Sequence, residues 1–119
     1  MTDTFEQAEQ KTLKFWLSAQ KSAGKKNIQP KGFVIRFPNG EQDLFYSAQG
    51  EWLADLTQAK SFERLEEAGA LCDQLQEDPD QLPQGEINPI MADFGILPHL
   101  DVMFWGMASE RANYLQVLW

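Results

Sequence analysis

The chain holds one histidine, His99, and one cysteine, Cys72, the side chains from which nucleophilic or metal chemistry is first expected. A catalytic triad needs its imidazole beside a nucleophile, but His99 lies in an apolar stretch and Cys72 falls on the apolar stripe of a predicted helix. A structural zinc site needs about four Cys or His ligands. We therefore expect no nucleophilic triad, no metal site and no other cofactor.

Carboxylates are the remaining groups that can do chemistry, because 18 Asp and Glu stand against 10 Lys and Arg, for a net charge of −8. Asp78, Asp80 and Glu86 lie close together in sequence, but they lack the alternate spacing and the central glycine of an EF-hand loop. The Asp-Phe-Gly tripeptide at 93–95 lacks the other kinase motifs. Since no pair is singled out for hydrolytic chemistry, a small carboxylate-dependent enzyme is the third alternative only.

The acidic residues concentrate after the first 31 positions. Residues 1–31 carry six lysines and three acids, a net +3, whereas residues 32–119 carry four basic residues and 15 acids, a net −11. Such charge keeps a small domain soluble, and it also steers a basic partner surface. The candidate partner-binding acids are Glu63, Glu66, Glu67, Asp73 and Glu77.

A second candidate surface lies in the C-terminal third, which is dense in Met, Phe, Trp, Tyr and Leu. These large side chains are enriched at interface centres. Phe104, Trp105 and Trp119 are accordingly candidate contacts of a homodimer or of an accessory subunit. The alternative is that this segment completes the core.

Charge and hydropathy exclude several other partners. The acidic balance disfavours nucleic acid, even though the lysines before residue 32 form a weakly basic segment. No stretch of about 20 residues is free of charge, so no membrane-spanning segment is expected. The start of the chain lacks the basic and apolar regions of a secretory signal. Together with an unpaired cysteine, this predicts a cytoplasmic protein.

The first predicted element is a helix over residues 3–23. Asp3 or Thr4 followed by Glu6 or Gln7 has the spacing of a capping box, and Gly24 suits a left-handed C-terminal cap. The stripe expected to face the core is Phe5, Ala8, Thr12, Phe15, Trp16 and Ala19, widened by Leu13 and Leu17.

A β-hairpin is predicted from residues 33–37 and 42–46 with Asn39-Gly40 at its tip, because Asn-Gly favours the type I′ turn. This register places Arg36 opposite Asp43 and Ile35 opposite Leu44. It therefore gives one cross-strand ion pair and several apolar pairs, which stabilise a hairpin.

Further elements follow the hairpin. Residues 51–53 suggest a short third strand, and Ser61 is the expected cap of a helix ending near Gln76. Its predicted apolar face comprises Phe62, Leu65, Ala68, Leu71, Cys72 and Leu75. After residue 108 the sequence allows either a short helix capped by Ser109 or a terminal strand over 113–119. We predict one α+β domain over residues 1–119, with the second helix on the sheet and the apolar C-terminal segment completing the core.

The stretch 32–71 combines Phe-Val-Ile-Arg-Phe, Asn-Gly, Leu-Phe-Tyr and Gly-Glu-Trp-Leu with a following helical pattern. It resembles small hairpin-plus-helix proteins of phage and mobile genetic elements. The resemblance implies a small accessory or inhibitor protein. With the acidic segment, it leads to the expectation of a non-enzymatic inhibitor or immunity-type protein that binds a basic protein surface, with a structural subunit as the alternative.

Overall fold

A computed structural model of the protein describes residues 4–38, 42–77 and 100–117. In chain order its elements are α1 (Phe5–Ser22), β1 (Gln29–Phe37), β2 (Leu44–Tyr46), β3 (Trp52–Leu53), a 3₁₀ turn (Leu56–Gln58), α2 (Leu65–Glu77), β4 (Asp101–Ala108) and β5 (Arg111–Gln116). The strands form one antiparallel sheet in the order β3-β2-β1-β4-β5. The predicted α+β class is confirmed.

The ends of α1 are set by its local sequence, as predicted. Thr4 accepts the backbone N–H of Gln7, and the Gln7 side chain accepts the backbone N–H of Thr4, which completes a capping box. At the other end Gly24 adopts a φ of 73°, and the N–H of Lys25 donates to the carbonyl of Gln20. These bonds satisfy backbone groups that a helix terminus otherwise leaves without partners.

The buried stripe of α1 is rotated from the predicted one. Phe5 and Phe15 are 41% and 54% exposed. The cause is Trp16, which is fully buried and lies edge-on to Phe104. Its indole packs over Gly106, where an added Cβ would approach the ring to 2.4 Å. The buried residues of the helix are Ala8, Thr12, Trp16 and Gln20.

The register of the β1–β2 hairpin differs from the prediction by two residues. Arg36 lies opposite Phe45, and Phe37 lies opposite Leu44, so the predicted pairing of Arg36 with Asp43 as direct neighbours is wrong. Because side chains alternate between faces with a period of two, the shift keeps each residue on its expected face. Arg36 therefore still forms an ion pair with Asp43, at 3.3 Å.

Tertiary pairing explains the shift. The N–H and the carbonyl of Phe33 are both bonded to Phe62 of the segment before α2, so this part of β1 is not available to β2. On its other side β1 pairs with β4 along most of its length. The predicted Asn39-Gly40 turn lies outside the described residues.

The start of α2 is also set by tertiary structure. The helix begins at Leu65 and not after Ser61, as the capping pattern suggested. Glu9 of α1 supplies the missing cap, because its carboxylate accepts the backbone N–H of Leu65 at 2.7 Å and Nε of Arg64 at 3.1 Å. Ser61 accepts instead from Nε1 of Trp105. The predicted apolar face of α2 is confirmed at Leu65, Ala68, Cys72 and Leu75, whereas Phe62 precedes the helix and Leu71 is only half-buried.

The last described segment is a second hairpin. Ser109 and Glu110 have φ angles of 52° and 66°, as a type I′ turn between β4 and β5 requires. The alternative of a helix capped by Ser109 is wrong, and the strand alternative is correct, although the strand begins earlier, at Arg111, and ends earlier, at Gln116. This segment completes the core as predicted, because Val102, Phe104 and Val117 are buried.

The sheet has a different apolar cluster on each face. The larger one lies under both helices and includes Trp16, Phe33, Ile35, Phe37, Leu65 and Phe104. The smaller one, on the opposite face, comprises Val34, Phe45, Leu56, Met103 and Trp105. Both helices therefore lie on one side of the sheet.

Candidate protein-binding cleft

A cleft of about 420 Å³ lies between α2, the first residue of α1 and the adjoining parts of β4 and β5. Apolar groups in its lining include Phe5, Ala70, Leu100, Val102 and Val117. Glu66 and Asp73 of α2 contribute carboxylates; Asp101 at the start of β4 also lines the cleft, but its carboxylate binds Arg36 on the opposite face of the sheet. None of the described lining residues is Lys or Arg. The cleft, named here the α2 cleft, thus combines apolar surface with negative charge.

Helical geometry distributes the predicted acidic residues over more than one surface. Glu66, Asp73 and Glu77 are separated by seven and four positions, which places them on one face of α2. Glu67 is exposed one step around the helix. Glu63 precedes the helix and lines a separate groove beside α1. The structure therefore brings Glu66 and Asp73 together in the cleft and leaves Glu63 apart from them.

The three acidic residues that line the cleft differ in whether they form an ion pair. Asp101 binds Arg36 at 2.6 Å, and Arg36 also binds Asp43 at 3.3 Å. No described Lys or Arg lies within ion-pair distance of Glu66 or Asp73. Burial disfavours the charged guanidinium, but the hydrogen bond to Asp101 and the charges of both aspartates outweigh it and raise the pKa of Arg36. Arg64 is near enough to Glu66 for their charges to interact, but neither Glu66 nor Asp73 forms an ion pair within the described residues, so both carboxylates are open to a partner.

Cys72 lies below the acidic rim of this cleft and is 8% exposed. Burial raises the pKa of its thiol to about 11, and the negative charges of Asp73 and Asp101 add to the effect. Since the thiolate is the reactive form, the side chain is a neutral thiol near pH 7. Its contribution to the cleft is apolar packing.

The predicted aromatic surface is mostly internal. Phe104 is 5% exposed in the cluster under the helices, and Trp105 is 6% exposed in the smaller cluster. Their side chains point to opposite faces of the sheet because they are consecutive in a strand. A partner of the folded chain would find little of either ring accessible. Trp119 lies outside the described residues.

Of the described residues that line the cleft, only Glu66 and Asp73 were among the sequence-based candidates, and Phe5 and Asp101 show why the others were missed. Phe5 was assigned to the buried stripe of α1, but it sits at the first residue of the helix and is 41% exposed. Asp101 comes to α2 through strand pairing across the sheet. No local pattern marks either position, because both depend on how distant elements pack.

Other features of the described ranges bear on the class of site. They contain no cluster of three or more His, Cys, Asp or Glu side chains arranged to hold a metal ion. No helix within them has both the length and the apolar character needed to cross a bilayer. Comparison of the chain with protein-family models, with curated proteins and with solved structures gives no match.

Proposed function

We propose that the protein is a non-enzymatic, cytoplasmic binding protein of the inhibitor or immunity type, which holds a basic segment of a partner protein in the α2 cleft. The observation that carries this proposal is the pair Glu66 and Asp73, whose carboxylates line an apolar cleft and form no ion pair within the described residues. A surface of this kind favours a positively charged partner and speeds its association.

The chemistry of the cleft fits lysine or arginine side chains. Both carry a long apolar stem below a charged head, so the stem buries apolar area while the head meets a carboxylate. Phe5 and Ala70 offer exposed apolar surface for the stem, and the carboxylates of α2 lie along one wall. An amphipathic basic segment therefore matches the cleft better than a neutral or acidic one does.

The pairing of Asp101 supports binding over a carboxylate-dependent reaction. Asp101 is the least exposed of the three acids that line the cleft, and its carboxylate is bound by the guanidinium of Arg36 at 2.6 Å. An acid–base catalyst must have its carboxylate within hydrogen-bond reach of the substrate, whereas this carboxylate is occupied by Arg36. Asp101 is therefore a structural ion-pair partner.

The proposal is tested with a short fluorescent peptide of alternating lysine and leucine, titrated with the protein and followed by fluorescence anisotropy. The double variant E66Q/D73N removes both open charges and keeps the side-chain shapes. We expect it to bind about tenfold more weakly, because each exposed ion pair contributes up to about 1 kcal/mol. The affinity of the unaltered protein for the peptide should decrease as the salt concentration is raised.

The matched control is E51Q/E110Q, which removes the same charge at two exposed positions away from the cleft. It should bind the peptide as the unaltered protein does. If both double variants lose affinity equally, overall charge and not the α2 cleft governs binding. If neither loses affinity, the proposed site is wrong.

A further inference from the structure

Strand β5 is an open edge of the sheet, because in the strand order only β4 lies beside it. The two strands pair in regular order, and just beyond them the N–H of Val117 donates to the carbonyl of Val102. Bonded and outward positions alternate along an antiparallel strand, so the odd-numbered residues of β5 bond to β4. Ala112, Tyr114 and Gln116 therefore direct their backbone N–H and carbonyl groups outward, and no described residue bonds these groups.

This edge lacks the features that usually prevent strand pairing. Proteins protect exposed edges with charged residues, with proline or with a bulge. Residues 112–117 contain no charged residue and no proline, although charged residues make up 24% of the chain. Their pairing with β4 shows no bulge. The edge is therefore suited to binding a further strand.

An exposed aromatic side chain lies beside this edge on the helix side of the sheet. Nε1 of Trp16 donates to the carbonyl of Asn113 at 3.3 Å, so α1 packs over β5. The flank of α1 that carries Leu13 borders a groove with residues 30–33 of β1, on the side away from the edge. Phe15 lies about 160° around the helix from Leu13. It therefore projects on the β5 side, where it is 54% exposed.

Tyr114 borders the same edge on the other face of the sheet. It is paired with Trp105, whose side chain belongs to the smaller cluster, and it is 41% exposed. The other large hydrophobic side chains exposed in the described residues are Phe5, in the α2 cleft, and Leu13, in the groove beside β1. Exposed aromatic side chains on both sides of one open strand indicate a contact surface.

The edge is complementary to a second copy of itself. Antiparallel pairing about a two-fold axis at Tyr114 places Tyr114 opposite Tyr114 of the second copy, Ala112 opposite Gln116, and Arg111 opposite Val117. Every outward backbone group then meets another outward group, so that about six hydrogen bonds form. A shift by one residue would place outward groups opposite inward ones. No like charges face each other in the matched register.

We infer that the protein forms a homodimer in which β5 pairs with β5 of a second copy about an axis at Tyr114. The axis is perpendicular to the sheet, so the helices of both copies lie on the same side and Phe15 of each copy covers the junction. The inference is independent of the proposed function, since it uses neither Glu66 nor Asp73. Net charge of −8 on each chain opposes assembly, but the repulsion is screened beyond about 8 Å at physiological salt, and residues 111–117 contain no acid.

The first test blocks the edge with Ala112→Pro, which removes an outward N–H that the fold itself does not use. Sedimentation velocity of the unaltered protein should show a concentration-dependent shift from monomer to dimer. We expect the proline to raise the dimer dissociation constant at least about tenfold, because each dimer loses two hydrogen bonds. Ala112→Ser is the matched control, since it keeps the N–H, and it should dimerise like the unaltered protein. Circular dichroism establishes that both variants are folded.

The second test locates the axis. Directly opposite bonded residues have Cα atoms about 5.5 Å apart, within the range of a disulfide. Tyr114→Cys should therefore form a covalent dimer under mild oxidation. Arg111→Cys is the control, because the two copies of that residue would be roughly 20 Å apart. The buried Cys72 is present in both variants.

The third test concerns the aromatic cover. Phe15→Ser should weaken the dimer about fivefold, because the exposed ring loses its contact across the junction. Leu13→Ser, on the opposite flank of the same helix, should not weaken it. A monomeric unaltered protein at all concentrations would overturn the inference and leave the edge to a strand of another protein. Equal dimerisation of Ala112→Pro and Ala112→Ser, or equal cross-linking of the two cysteine variants, would also overturn it.

Discussion

The two faces of the sheet are stabilised by different means. The face under the helices buries a large apolar cluster in which Trp16, Phe33 and Phe104 make edge-to-face contacts. The opposite face has a smaller apolar cluster, bordered by a polar network of Arg36, Asp43, Asp101 and Tyr114. Tight packing therefore dominates on one face, and charged hydrogen bonds contribute on the other.

The polar network shows that the sheet is curved. Tyr114 of β5 donates to the carboxylate of Asp43 at 2.7 Å, and its ring contacts Phe45 of β2 edge-on at 5.4 Å between centroids. In a flat sheet, β2 and β5 would be separated by three strand spacings, roughly 14 Å. The strands must therefore curl toward the smaller cluster, and Tyr114 closes that curl. The curvature of the sheet therefore lets this short chain bury the smaller apolar cluster without a further layer of helices.

The largest expected effect tests the tightness of the face under the helices. Gly106→Ala places a Cβ at 2.4 Å from the Trp16 ring and 2.5 Å from the carbonyl of Gln29, so one of them must move. We expect a loss of about 2–3 kcal/mol in the free energy of unfolding, measured by urea denaturation, as for other overpacked cores. The loss should be smaller in a Trp16→Leu background. An equal loss there would show that Trp16 is not what the new methyl group meets.

An intermediate effect on stability is expected from the polar network on the face of the sheet opposite the helices. Asp101→Asn removes the shorter of the two ion pairs of Arg36, whose Nε is buried without a partner among the described residues. We expect the free energy of unfolding to fall by about 1–2 kcal/mol, because the guanidinium stays partly buried with one carboxylate fewer.

Asp73→Asn is the matched control for this prediction, since Asp73 is exposed and has no described ion pair. It should change stability by less than about 0.5 kcal/mol. If Asp101→Asn and Asp73→Asn lowered the free energy of unfolding equally, the ion pair of Asp101 with Arg36 would contribute nothing to stability.

The smallest expected effect is a pH dependence of the free energy of unfolding. It reports how deeply Cys72 is buried on the face of the sheet under the helices. The Cys72 thiol has a pKa of about 11 in the folded chain, against 9.0 as its ordinary value. Between these values the unfolded chain loses the proton while the folded chain keeps it. Stability therefore falls as pH rises through this window, by about 1 kcal/mol near pH 10.

Comparison with Cys72→Ala isolates this contribution from that of the lysines. The free energy of unfolding of both proteins is measured between pH 8 and pH 10.5, and the fall should be shallower in the variant. Parallel curves would show that the thiol is not buried in the folded state. Iodoacetamide labelling gives an independent measurement, since a neutral buried thiol should react only after unfolding.

Local sequence predicted those features whose partners are near in the chain. The capping box of Thr4 and Gln7, the cap at Gly24 and the buried face of α2 follow from interactions within a few residues. The acidic character of α2 is likewise evident in its composition. The cleft was not predictable, because Phe5 and Asp101 are distant in sequence from the acids of α2, and only the packing of α1 and β4 beside α2 brings them to it.

By itself, the sequence determined the fold class, the presence of both helices and the opposite charges of α1 and α2, because periodicity and composition act through neighbours in the chain. Only the tertiary structure decided the hairpin register, the start of α2 and the accessibility of Trp105. In each case a distant group supplied the deciding contact: Phe62 beside β1, Glu9 at the N-terminus of α2, and Ser61 at the indole of Trp105. Backbone groups and buried polar atoms bond whichever partner the packed chain presents, and sequence spacing does not reveal that partner.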